Sequence, residues 1–226
     1  MKLFLCGGGC SSQITTAYKK FEKLLDKSKP ILYIPLAMEE NRFDSCYEWF
    51  GKEILNFGLT KFEMVRSSLE LFQKDFTQYC ALFIGGGNTY KLLKDMYDNA
   101  NYQKIIDYLN NNGIVFGASA GAIIFGKNID SCMLDDNNIT NYKQSNGLNY
   151  LNNYSLLCHL NKSNFKKNKD YLKEYSKKNK TIYLPEEDVI VISNNKIEFI
   201  GNKKYVIFKN GNYAFHNFAN FKKDMM

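Results

Sequence analysis

Five short apolar runs, spaced through the first 119 residues and separated by segments of helical period, constrain this chain more than any other feature. They are KLFLC (2–6), ILYIPLA (31–37), KFEMV (61–65), CALFIGGG (80–87) and GIVFGAS (113–119). Continuous apolar runs of this length belong to strands covered on both faces, because a half-exposed strand alternates apolar with polar residues. Between them, Phe43, Cys46, Tyr47, Phe50 and Ile54 recur at helical spacing, as do Tyr102, Ile105, Ile106 and Leu109. Alternating strands and helices bury their apolar faces best as a parallel sheet with helices on both sides. The expectation is a doubly wound α/β fold over one domain, residues 1–226.

The last part of the chain has another rhythm. TIYLPEEDVIVISNNKIEFIGNKKYVIFKNGNYAFHNF (181–218) breaks short strand-like runs with SNN, GNKK and NGN, all turn signals. Antiparallel hairpins that extend or cover one sheet edge are expected there. Residues 161–180, rich in lysine, read as a solvated helix with Phe165, Leu172 and Tyr175 as a thin apolar face.

Composition excludes more than it selects. Hydrophobic residues at 45% and charged residues at 23% are ordinary for a globular chain, which at 226 residues needs no metal or disulfide staple. The net charge of +7 is modest, and the lysines are not interleaved with aromatics as a single-strand nucleic-acid platform requires. Six cysteines stand singly without a CxxC pair, which argues against a zinc site and for a reducing compartment. MKLFLCGGG lacks the basic and apolar regions of a signal peptide, and no run approaches the ~18 apolar residues of a membrane span. The expectations are a cytoplasmic protein, monomer or homodimer, without cofactor, metal, nucleic-acid or membrane partner.

Ligands of open α/β sheets bind beyond the carboxyl ends of the strands. Three Gly-rich turns fall there: GGGCSS (7–12), GGGNTY (85–90) and GASAG (117–121). The last fits G-x-S-x-G, a sharp strand-to-helix turn whose small neighbours push the Ser119 hydroxyl outward. Free amides at the start of the following helix would face an oxyanion. The same small residues would also suit an inert, packed strand–helix junction. GGGNTY can turn further amides toward a ligand, with Asn88 or Thr89 capping the next helix. It could instead hold a phosphate, although neither GxGxxG nor a P-loop Lys-Ser/Thr is present. A serine nucleophile needs a base, and the chain has two histidines, His159 and His216. An orienting acid is available in NIDSCMLDDNN (128–138), as Asp130, Asp135 or Asp136.

These pieces, in this order, resemble the peptidase E family of serine peptidases, which includes α-aspartyl dipeptidase and the more distant cyanophycinases. The resemblance rests on YIPLA, FIGGGNTYKLL, GASAGA, a histidine forty residues after the serine, and LPEEDVIVISNNKIEFIG followed by YVIFKNG. It implies a flavodoxin-like sheet related to class I glutamine amidotransferases and a Ser-His-Asp (or Glu) triad. Ser119 becomes the nucleophile and His159 the base. Asp136 is the best-fitting acid, then Asp135, then Asp130. The oxyanion hole would use the amide of Ala120 and one from Gly86 or Gly87, with Asn88 beside them. Short peptides, including dipeptides with an N-terminal Asp, become the expected substrates. Two departures bear on specificity: LCHL stands where aspartyl dipeptidases have Asn-Pro-His-Phe, and Ala118 where they often have Trp. Two rival readings remain at this point. One is an α/β-hydrolase esterase using Ser119 with His216 and Asp188; the other is a non-catalytic flavodoxin-like binder.

Overall fold

All five apolar runs form strands: β1 (Lys2–Cys6), β2 (Ile31–Ile34), β3 (Phe62–Met64), β4 (Ala81–Ile84) and β5 (Ile114–Ala118). The structure, a computed structural model, describes residues 1–193 and 196–217. The five strands are parallel and ordered β3-β2-β4-β5-β1. Because successive side chains leave a strand on opposite faces, each run feeds two cores. Leu3, Leu5, Leu32, Ile34, Leu82 and Ile84 enter one; Phe4, Cys6, Ile31, Tyr33, Ala81 and Phe83 enter the other.

Helices α1 (Thr15–Glu22) and α2 (Phe43–Glu53) cover the second face, with Tyr18, Phe21, Cys46 and Phe50 buried there. Tyr47, expected on the same apolar stripe, is half exposed and rests on Phe62. Helices α3 (Ser68–Gln73), α4 (Thr89–Asp98), α5 (Asn101–Asn110) and the single turn α6 (Ala120–Ile123) cover the first face. Across the sheet, Phe4, Phe116 and Phe83 stand in register on three adjacent strands, with ring centroids 5.8 and 5.0 Å apart. Stacked rings at this spacing add attraction to the area they bury.

The C-terminal part does more than form hairpins on one edge. Strand β6 (Ser155–Leu157), helix α7 (Lys162–Tyr175) and strand β7 (Thr181–Tyr183) make a parallel crossover unit. Strand β8 (Val189–Ser193) then enters the large sheet antiparallel to β1, and β9 (Lys196–Ile200) pairs outside it. The expected turn between them, at Asn194 and Asn195, lies outside the described residues. Strands β10 (Tyr205–Lys209) and β11 (Asn212–His216) return to β7, giving a second sheet ordered β11-β10-β7-β6. Helix α7 buries Leu172 and leaves most of its lysines in solvent, as its composition predicts. Among the described residues no helix is long and apolar enough to cross a membrane.

Candidate active site

Strands β4, β5 and β1 are neighbours, so their Gly-rich turns meet at one edge of the sheet. At the end of β5 the chain bends sharply at Ser119, whose φ of 52° and ψ of −114° are rare for a residue with a side chain. Close backbone approach makes the bend possible. A Cβ on Gly117 would lie 2.2 Å from the Gly121 carbonyl oxygen, and one on Gly121 would lie 2.2 Å from that of Ile84. The Ser119 amide donates to the Cys6 carbonyl at 3.1 Å, fixing the bend to β1.

The second sheet delivers the other groups. His159 follows β6 and Glu186 follows β7; these strands are parallel neighbours and therefore end on the same side. His159 Nε2 is 2.7 Å from Ser119 Oγ, and His159 Nδ1 is 2.9 Å from Glu186 Oε1. The imidazole and carboxylate side chains are 40% and 42% exposed, so a ligand can reach the serine end of the chain of bonds. His159 has a φ of 63°, another left-handed conformation held by its surroundings.

Glu186 occupies the place at the imidazole that Asp136, Asp135 or Asp130 was expected to fill. Each aspartate is committed elsewhere. Both bonds from Thr89, its amide and its hydroxyl, go to Oδ2 of Asp136. Asp135 is held by Lys167 and Asn168 at 2.8 Å each, and Asp130 accepts from the Tyr90 hydroxyl at 3.0 Å. Asn88 takes the capping place expected of it. Its Oδ1 caps α4 by accepting from the Lys91 amide at 2.9 Å, and its Nδ2 donates to the Asn137 carbonyl at 2.7 Å. His216 and Asp188 lie apart from Ser119: His216 stacks on Tyr205 in the second sheet, and Asp188 is buried against the Gly201–Asn202 turn.

Gly86 approaches the serine closely, since a Cβ there would stand 3.1 Å from Ser119 Cβ. Among the described residues, the amides of Gly86, Gly87 and Ala120 donate to no backbone carbonyl. A cavity of about 480 Å³ opens at this point, within the range of roughly 300–1,000 Å³ usual for small-molecule sites. Ile123, Cys132 and Leu157 give it an apolar wall, and Asp135, Asp136 and Asn164 a polar one. Burial pushes the thiols of Cys132 and Cys158 well above their ordinary range and that of Cys6 to about 12. A thiol in that state is a poor nucleophile.

The sequence model of peptidase family S51 matches residues 3–200. The chain belongs to peptidase family S51. It is 28% identical over 200 residues to an uncharacterized peptidase of Listeria monocytogenes, covering 85% of this chain and 92% of the relative. It is 26% identical over 190 residues to peptidase E of Haemophilus influenzae, covering 81% and 85%. The fold matches a Listeria monocytogenes EGD-e crystal structure with a TM-score of 0.72 at 22% identity, covering 89% of this chain and 98% of the other. A peptidase from an acI-B1 actinobacterium matches with a TM-score of 0.70 at 20% identity, covering 96% and 93%. As an S51 member the protein is a hydrolase of the serine peptidase class.

Proposed function

We propose that this S51 member hydrolyses short peptides through a Ser119–His159–Glu186 triad. The observation that carries the reading is the unbroken chain of contacts from Ser119 Oγ through both ring nitrogens of His159 to Glu186 Oε1. Glu186 accepts from Nδ1–H and so holds the tautomer that presents a lone pair at Nε2. Ser119 Oγ bonds to the peptide carbonyl carbon as its proton passes to Nε2. The amides of Ala120 and of Gly86 or Gly87 stabilise the oxyanion; loss of one such donor typically costs ~10²–10³ in rate. The imidazolium then protonates the leaving amine as the C–N bond breaks, leaving an acyl ester on Ser119. Water attacks that ester, its proton goes to Nε2, and the acid product leaves with the serine restored.

The cavity suits one or two residues of peptide. Asp136 has no cationic partner among the described residues and is the carboxylate placed to receive a substrate ammonium group. Dipeptides with a free N-terminus, those beginning with Asp included, are the substrates to assay first. On such a panel, Ser119→Ala and His159→Ala should each lower kcat/KM by about 10⁴-fold or more, and His216→Ala should leave it unchanged. Full activity in His159→Ala, or its loss only in His216→Ala, would overturn the triad.

A further inference from the structure

The Gly-rich turn after β1, GGGCSS, contributes no side chain to the triad, yet two triad residues bond to its backbone and the third to Cys6 just before it. The Cys6 carbonyl accepts from the Ser119 amide at 3.1 Å, and the Gly7 carbonyl accepts from the His159 amide at 3.0 Å. The Gly9 amide donates to the Glu186 carbonyl at 2.8 Å. Gly8, at φ 122°, lies directly against the imidazole: a Cβ there would be 2.2 Å from His159 Cε1. Residues 6–9 therefore fix the three backbones and one face of the base.

The far end of this turn is held by one buried carboxylate. Glu53, the last residue of α2, is 3% exposed. It accepts from the Ser11 amide and the Ser11 hydroxyl at 2.7 Å each, and from the Tyr18 hydroxyl at 2.6 Å. Ser11 is itself left-handed, with φ 47°, a conformation that a non-glycine residue keeps only when its surroundings impose it. Two charge-assisted bonds to one residue supply that constraint.

We propose that Glu53 and Ser11 are positioning residues for the hydrolysis: their clamp sets the GGGCSS turn, and the turn sets the imidazole between Ser119 and Glu186. The proposal rests on the triad reading for its catalytic consequence but not for its geometry. Displacements of about 1 Å at a reacting pair can cost on the order of 10²-fold in rate, so a loosened turn is felt at the chemical step and not in substrate binding.

The test uses the full-length protein and the variants Ser11→Ala, Glu53→Gln and Tyr18→Phe, with steady-state kinetics on dipeptides and proton NMR of the ring signals. The chain has only two histidines, so the His159 signals are followed beside those of His216 as an internal control. Ser11→Ala and Glu53→Gln should lower kcat about tenfold or more at unchanged KM and displace the His159 signals while leaving those of His216 in place. Tyr18→Phe, which removes a bond to the same carboxylate without touching the turn, should lower stability but keep kcat and the His159 signals. A folded Ser11→Ala protein with wild-type kcat and unmoved His159 signals would overturn the proposal, whether or not Glu53→Gln folds. If the wild-type protein cleaves no peptide, the triad reading falls, and the His159 signals in Ser11→Ala still decide the clamp.

Discussion

Glu186 touches the imidazole of His159 and Asp136 lines the same cavity as that ring, and their bonding differs. Glu186 meets Nδ1 of His159, whereas Asp136 bonds the amide and hydroxyl of Thr89 at the start of α4. Glu186→Gln keeps the size of the side chain but offers an amide that can stabilise the wrong tautomer, so kcat should fall by about 10²–10⁴-fold. Asp136→Asn should act mainly on KM for free dipeptides, and N-acetylated substrates should not register the change. Comparing the two variants on free and acetylated peptides checks both roles. Equal loss of kcat in both would mean that Asp136 shares the work of the acid.

At the scale of elements, the strand-to-helix turn from β5 to α6 works because β4 runs directly beneath it. Gly121→Ala places a methyl group 2.2 Å from the Ile84 carbonyl oxygen, a backbone atom that cannot swing aside. The variant should lose about 1–3 kcal/mol in denaturant unfolding and most of its activity together. The strands, the turn and Ser119 were legible because each depends on local residues: apolar runs, small residues and a helix start. His159 was singled out through its resemblance to relatives, not through local pattern. Glu186 was not singled out, although LPEEDV and the possibility of a glutamate were both in view. Reading residues 181–218 as antiparallel hairpins hid the parallel pairing of β6 with β7, which brings Glu186 to the side where His159 sits. An aspartate between serine and histidine was expected, whereas the carboxylate in contact with His159 Nδ1 follows the histidine in the chain. The acids of LPEEDV, just past a strand end, were the available signal, and only the pairing of two strands whose partner residues, such as Ser155 and Thr181, are distant in sequence gives them meaning.

Across the whole molecule, Asp188 sits where the two sheets join. Its carbonyl accepts from the Gly7 amide, its side chain is fully buried against the Gly201 turn, and one carboxyl oxygen lacks a hydrogen-bond partner. Burial raises its pKa to about 7. Below the ordinary value near 3.8 the group is protonated in both folded and unfolded chains and costs nothing. As pH rises toward 7 the unfolded chain ionises first, so stability falls, and the loss is complete above the folded value. Asp188→Asn removes that slope. Against wild type, the variant should gain on the order of 1–3 kcal/mol between pH 4 and pH 8, read by urea unfolding at both pH values. A constant difference across that range would show that Asp188 carries no such linkage.

The place of β1 has a consequence for how the chain reaches its fold. Strand β1, far ahead of both its partners in the chain, lies inside the large sheet between β5 and β8, with Lys2 opposite both Ile114 and Ser193. One edge of β1 waits for more than a hundred residues to be made and the other for nearly the whole described chain. Pairings this distant in sequence carry a large loop-closure entropy before any contact rewards it, so folding should be slow and largely post-translational. Until β8 arrives, β1 presents an open apolar edge, and it is the same strand whose end later carries the turn beneath the triad.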